Sequence, residues 1–412
     1  MKKILFFAVA AATVMALTGC SQSSDLTEVN ATTGQNAISF ETYLATNTRA
    51  GVSGEQTTET IEKNGFGVLG YYTAKDNYAK NTAPNFMYNT KVTGTTNGTT
   101  INWTYTPLRY WPNDENDKLS FFAYAPYVDV EPSTGVPTDV TNKTGITAIT
   151  NNNYSDAPTV SYTLADTKTQ SVDLLWGVKK GTKSDLNTDL TRIQANTSGV
   201  GFTFKHALAK FGGDNNFVKA ILVTDDDTKF DKTTTKVTIS DIKIESSDIA
   251  TTGTFDLTTG QWSTTKSTTN GTMSFEIKAT DMVPSIAETS KKNITGTDAA
   301  KLTGLQPQTT VNVLNNNTIS SFYLIPGTQP TFKVTVTYWV RTIDPTLHDG
   351  VTNVQQTITK AIQFPNAFEV NKKYNLILSV GLNTVNFTGE IASWDTTEGA
   401  TTTTVDLPEV IK

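Results

Sequence analysis

Apolar and polar residues alternate along most of this chain in short runs bounded by Gly, Pro and Asn. That period of two belongs to strands with one buried face. The clearest run is "TFKVTVTYWV", Thr331 to Val340. Phe332, Val334, Val336 and Tyr338 fall on one face and Lys333, Thr335, Thr337 and Trp339 on the other. "ISFETYL" near the N-terminus has the same form: Ile38, Phe40, Thr42 and Leu44 alternate with Ser39, Glu41 and Tyr43. No apolar stripe of period 3.6 is sustained beyond a few turns, and Thr and Asn are abundant while helix formers are scarce. An all-β chain follows.

The strand candidates fall into two sets. The first holds "GFGVLGYYT" (Gly65 to Thr73), "INWTYTP" (Ile101 to Pro107), "KLSFFAYAP" (Lys118 to Pro126) and "VDLLWGVK" (Val172 to Lys179). The pattern lapses over Gly181 to Gly199, which reads as a linker. A second set begins with "VGFTFKHALAKF" (Val200 to Phe211) and runs through "KVTISDIKI", "GTFDL" (Gly253 to Leu257), "SSFYLIP" and "YNLILSVGL" (Tyr374 to Leu382). The expected organisation is therefore two β-sandwich domains in series, residues 37–195 and 196–412, each long enough to bury its own core.

The ends add a history of export. Lys2 and Lys3 precede an apolar run from Ile4 to Met15, too short for a stable membrane span. "LTGC" closes it at Cys20, the only cysteine of the chain. This segment, residues 1–20, resembles a bacterial lipoprotein signal, in which the cysteine is acylated and becomes the mature N-terminus. A buried acyl chain contributes about 0.8 kcal/mol per methylene, so lipid can tether the protein to the outer membrane without a spanning helix. Residues 21–36 are polar and read as a tether. Arg49 then stands alone: it is the one basic residue between Lys3 and Lys63.

Charge and chemistry narrow the function by exclusion. A formal net charge of −6 with no basic stripe argues against nucleic acid. With Cys20 acylated, disulfides and thiol chemistry are excluded. His206 and His348, the two histidines, lie far apart with no HExxH, and G-x-S-x-G is absent. "TDDDTKFD" at Thr224 to Asp231 lacks the EF-hand spacing and reads as a solvated hairpin tip. The Trp and Tyr residues of "NWTYTPLRYWP" and "FFAYAP" offer either a sugar-stacking platform or core packing, with packing the better fit. No cofactor, metal or catalytic residue is expected.

Several blocks together carry a resemblance. "LRYWP" (Leu108 to Pro112), "DKLSFFAYAP" (Asp117 to Pro126), "DLLWG" (Asp173 to Gly177), "FTFKHALAKF" (Phe202 to Phe211), "GTFDLTTGQW" (Gly253 to Trp262) and the end from Asn371 to Trp394 resemble the fimbrillins of Bacteroidetes. The resemblance implies two transthyretin-like β-sandwiches and a structural, adhesive role in a surface fimbrium (pilus). It further implies that a trypsin-like, Arg-specific protease cuts between Arg49 and Ala50, removing the lipid and the first strand, residues 37–49. Ile38, Phe40, Thr42 and Leu44 would then leave the core, and a strand from a neighbouring subunit, in a homopolymer another copy of this chain, would replace them. Within residues 400–412, Thr403, Val405 and Leu407 alternate and form the candidate donor strand. The alternative is a lipid-anchored, glycan-binding surface protein; a tip or anchor subunit is the third option. The surface ligand, on host or bacterium, is not legible in the sequence.

Overall fold

A computed structural model describes residues 37–44, 55–80, 82–98, 100–141, 144–165, 171–195, 199–212, 218–263, 273–290, 292–315, 321–394 and 402–410. Its strands and short helices begin with β1 (Phe40–Leu44), α1 (Thr58–Asn64), β2 (Phe66–Tyr72), β3 (Met87–Asn97), β4 (Thr100–Thr104) and β5 (Lys118–Ala125). There follow β6 (Ile146–Ile149), β7 (Thr159–Thr163), β8 (Leu175–Lys179), β9 (Asn187–Thr191), α2 (Arg192–Ala195), β10 (Val200–His206), β11 (Ala209–Gly212) and β12 (Val218–Leu222). Next are β13 (Thr235–Ser246), β14 (Thr252–Asp256), β15 (Gln261–Ser263), β16 (Met273–Lys278), α3 (Gly296–Ala299), β17 (Val311–Asn312) and β18 (Ser321–Leu324). The last five are β19 (Thr331–Thr342), β20 (Val354–Gln363), β21 (Lys372–Val380), β22 (Val385–Ser393) and β23 (Thr403–Asp406). The chain is nearly all β, as its alternation predicts.

Four sheets organise these strands. The first runs β1-β10-β8-β5-β2-β3-β4, with β9 also on β5. Both of its faces are covered, which explains why β5 is apolar along almost its whole length. Leu119, Phe121 and Ala123 point into one core with Phe66, Val68, Phe202 and Phe204. Phe122 and Tyr124 point the other way, into a core shared with Val160, Tyr162 and Phe255 of the small sheet β15-β14-β7-β6. In the C-terminal part of the chain, β16-β13-β19-β20 faces the sheet containing β12, β21 and β11. Ile242, Ile244, Val334 and Val336 on one side meet Ala220, Leu376, Leu378 and Val380 on the other in a single core. The alternation of β19 puts Phe332, Val334, Val336 and Tyr338 inward, all almost fully buried.

Pairing does not follow chain order. β10 lies beyond residue 195 yet joins β8 and β1. The hairpin β14–β15, expected with the second strand set, pairs through β14 with β7 of the first, Thr252↔Thr163 to Asp256↔Thr159. The stretch read as a linker also carries structure. β9 pairs with β5 at Lys118↔Thr191 and Leu119↔Leu190, and Asn187 is buried with its side-chain amide donating to the Gly201 carbonyl. Its polar composition hid this because β9 is a half-covered edge strand needing few apolar residues. Among the described residues no helix is long and apolar enough to cross a membrane.

Candidate functional site

β1 lies parallel to β10, in register from Phe40↔Val200 to Leu44↔Phe204. A parallel partner has no hairpin to fix it, so its seat must hold it directly. On the β10 side the Val200 amide donates to the Ser39 carbonyl over 2.8 Å. Gly199 makes that approach possible: its φ is +66°, and a Cβ there would stand 2.4 Å from Ser39 Oγ. The opposite side is closed by the segment after β4. The Ile38 amide donates to the Arg109 carbonyl, the Tyr105 hydroxyl donates to the Ile38 carbonyl, each over 2.8 Å, and Ala37 bridges to Tyr110.

The inward side chains follow the sequence pattern. Ile38, Phe40 and Thr42 are buried, Ser39 is exposed and Glu41 is half-buried, its carboxylate 2.7 Å from Lys180 Nζ. Phe40 sits among four aromatic rings. It meets Phe66, Tyr105 and Phe121 edge-on at centroid distances of 6.5, 5.3 and 5.8 Å and stacks on Phe202 at 6.2 Å. Burying a Phe side chain contributes about 1.5–3 kcal/mol, and such ring pairs add about 0.5–1.5 kcal/mol each. Phe40 is therefore the strongest single attachment of a short edge strand. Leu44 contributes its backbone to the ladder.

At Glu55, eleven positions past the end of β1, the chain is fastened again, by charge. Glu55 is buried and takes both oxygens to Lys210 Nζ of β11, at 3.2 and 3.1 Å, while the Trp394 indole donates to Glu55 Oε1 over 3.0 Å. The Lys210 ammonium stands 5.2 Å from the Trp394 ring centre. The same ring stacks with His206, centroids 3.7 Å apart and planes 1° from parallel, and His206 Nδ1 lies 2.7 Å from the buried Asp173 carboxylate. Burial pushes the Asp173 carboxyl above its ordinary range, against the opposing pull of His206. The Tyr323 ring, stacked 5.5 Å from Trp394, completes the cluster, its hydroxyl also pushed up by burial. Thr57 then caps α1, exchanging side-chain and backbone hydrogen bonds with Thr60.

Sequence reasoning expected His206 to be a packed strand residue, and it is. It missed Glu55, Asp173, Lys210 and Trp394 as a group. The signal was a charge inside each apolar run, Asp173 in "VDLLW" and Lys210 in "HALAKF", where an unpaired ion is too costly to bury.

The other expected residues divide. Cys20, Arg49 and Ala50 lie outside the described residues. The candidate donor strand is β23, paired antiparallel with β22 from Thr388↔Asp406 to Ile391↔Thr403. Thr403 is exposed, Val405 half-buried and Leu407 buried at 3% exposure, with the Leu407 amide donating to the Phe387 carbonyl. The aromatic candidates mostly pack inward: Trp111, Phe121, Phe122 and Tyr124 are buried, while Tyr110 and Leu108 are exposed beside the seat of β1. His348 is exposed and bonded to Asp349. The acidic residues near Thr224 close their own turns, as Asp227 does with Thr224 and Asp226 with Thr228. Among the described residues no group of acidic, His or Cys side chains is arranged to hold a metal ion.

The fimbrillin-like family model matches residues 48–394. The chain belongs to the fimbrillin-like family. Fimbrium subunit Fim1C of Phocaeicola vulgatus is 32% identical to it over 202 residues, covering 48% of this chain and 47% of that protein. The matched region thus spans about half the length of that relative. The crystal structure of a fimbrial protein from Bacteroides vulgatus has the same fold, with a TM-score of 0.58 at 23% identity over 88% of this chain and 100% of that one. The family match starts at residue 48, so β1 of this fimbrillin-like chain lies outside it. Both of these similar proteins are fimbrial by name.

Proposed function

We propose that this chain is a structural subunit of a cell-surface fimbrium, most consistent with a shaft position, and that it assembles by protease-triggered β-strand exchange in the service of adhesion. In this reading it is exported as a lipoprotein acylated at Cys20 and carried to the outer membrane. A trypsin-like protease then cuts between Arg49 and Ala50. β1 leaves, and a strand from another fimbrial subunit, copies of this chain included, takes its place.

The observation that carries the proposal is that Ile38 and Phe40, on a short parallel edge strand outside the family match, fill the core beside β10. Loss of that strand leaves an apolar trough and an unpaired β10 edge, both unfavourable in water. An added strand satisfies both through ladder bonds and inserted side chains. Head-to-tail repetition of such a contact does not close and builds a filament. A shaft subunit must also donate, and the tail around β23, an edge strand with Leu407 as its one buried apolar anchor, is the donor in this reading. The body is then two transthyretin-like β-sandwich domains, divided at the crossover Ala207–Leu208 between β10 and β11, with β14–β15 belonging to the first.

Intact mass and N-terminal sequence of the protein from the native cell surface test this. A chain beginning at Ala50 without lipid is expected, and Arg49→Ala is expected to stay acylated and monomeric. A surface protein that keeps its acylated Cys20 and β1, or normal filaments from Arg49→Ala, would overturn the maturation step.

A further inference from the structure

The side chains by which β1 enters the core are not equivalent. Thr42 is buried but small and polar, and Ile38 is buried and also fixed through its backbone, by Arg109 and Tyr105. Phe40 opens the ladder opposite Val200, and its ring fills an enclosure of Phe66, Tyr105, Phe121 and Phe202. Three of those rings present edge-on contacts and one a stacked face, an arrangement a planar ring completes and an aliphatic side chain does not. The one polar atom of the enclosure, the Tyr105 hydroxyl, is committed to the Ile38 carbonyl. A smaller occupant leaves a void, because three of the walls, Phe66, Phe121 and Phe202, belong to β2, β5 and β10 of a packed sheet, and the fourth, Tyr105, is tied to Ile38.

We propose that this enclosure is the specificity-determining position of the groove. It selects, from an extended strand of another subunit, an aromatic side chain placed two residues after a branched aliphatic one. This rests on the strand-exchange reading above and deepens it by naming the chemistry of the incoming strand. The tail of this same chain is a second-choice occupant. Residues 395–412 contain no Phe, Tyr or Trp, and their nearest match to Ile38 and Phe40 is Val405 and Leu407. Leu407 also has a seat on its own body, buried at 3% exposure. A partner subunit that offers an aliphatic-x-aromatic strand therefore outcompetes a second copy, and the first contact of a mixed filament is heterotypic.

The test uses the full chain in two ways. Uncut, the opening of β1 is read by hydrogen exchange at its amides in wild type, Phe40→Leu and Phe40→Ala. Cut with an Arg-specific protease and freed of β1, the protein is titrated with synthetic peptides. These are Ala37–Leu44, its Phe40→Leu and Phe40→Ala forms, and the tail Thr402–Lys412 with and without Leu407→Phe. Phe40→Leu is expected to raise opening and weaken peptide binding about tenfold, Phe40→Ala at least about a hundredfold, and Leu407→Phe is expected to strengthen tail binding about tenfold. Leu forms within about twofold of Phe, or a tail that binds as tightly as the β1 peptide, would overturn the assignment. A wild-type chain that is not cut at Arg49 defeats the strand-exchange reading, while exchange in the uncut variants still decides the preference of the enclosure.

Discussion

Lys210→Met should destabilise the fold by about 3–5 kcal/mol, the cost of leaving one member of a buried ion pair without its partner. The side chains of Lys210 and Glu55 are 3% and 2% exposed, so water cannot reach in to replace the lost ammonium. Methionine keeps the apolar stem against the Trp394 ring but supplies no proton to either Glu55 oxygen. What remains for that carboxylate is the single indole hydrogen bond from Trp394. Glu55→Gln should cost a similar amount, because it leaves the Lys210 charge buried. The double variant Glu55→Gln/Lys210→Met removes both charges while Gln still accepts from Trp394. It should be more stable than either single variant, with a coupling energy of at least about 2 kcal/mol.

Guanidinium unfolding followed by tryptophan fluorescence measures all four stabilities, and Trp394 reports from within the cluster. Hydrogen exchange should show where the change begins. The amides of Ile61 and Gly65, bonded to Thr57 and Ile61 in the helix that follows Glu55, should lose protection before those of β13 and β19. A cost below about 1 kcal/mol for Lys210→Met, or a double variant whose loss equals the sum of the singles, would refute the reasoning.

Gly199→Val should loosen β1, since φ is +66° there and the new Cβ would stand 2.4 Å from Ser39 Oγ; a loss of about 1–3 kcal/mol with faster exchange in β1 is expected, and unchanged exchange would contradict it. Leu407→Ala should release the tail, costing about 2–3 kcal/mol and making residues 402–410 protease-sensitive while β21 and β22 stay protected; a tail that remains resistant would show that β23 is held by its ladder alone. Hydrogen bonds from the Thr233 hydroxyl and amide, then from Thr234, hold the Asp231 carboxyl down from 3.8 to about 2. A carboxyl with a depressed folded value adds stability above its unfolded value and loses it as pH falls through about 4 to about 2. Thr233→Val should therefore move its NMR titration midpoint upward, and an unmoved midpoint would remove the hydroxyl from the account.

The periodicity of this sequence made its strands legible but not their partners. The alternation of β19 reports its inward face, Phe332 to Tyr338, and that of β1 its buried Ile38, Phe40 and Thr42, although Trp339 and Arg341 are also buried on the other face of β19. β5 was readable as a strand, although its unbroken apolar run gave no hint that it divides two cores. The return of β14–β15 to β7 was invisible, since an edge hairpin carries no mark of which sheet it joins. β9 failed for the opposite reason: half-exposed, it has too few apolar residues to alternate. The buried cluster was legible only as scattered anomalies. Nothing local links Glu55 to Trp394, 339 positions away.

The seat of β1 and the buried cluster are the work of one continuous stretch, Val200 to Phe211. Its first half, β10, turns Val200, Phe202 and Phe204 toward β1 and offers it the sheet edge. Its last inward residue, His206, leaves that core for the Trp394 ring. After the crossover Ala207–Leu208, Lys210 in β11 takes Glu55. The chain that enters along β1 is thus held twice by the same segment: at its start by five register pairs and buried side chains, Phe40 foremost, and at Glu55 by buried charge. In the strand-exchange reading, that difference sets which contacts must break first after a cut between Arg49 and Ala50. The proposed exchange then needs only the contacts of β1 to break, while the buried Lys210–Glu55 pair, costly by several kcal/mol to separate, keeps the residues from Glu55 onward attached. β10 is also paired along its other edge with β8, from Phe202↔Lys179 to His206↔Leu175, so its place in the sheet does not rest on β1 alone. The strand-exchange reading therefore expects an incoming strand to meet a formed groove rather than a collapsed one.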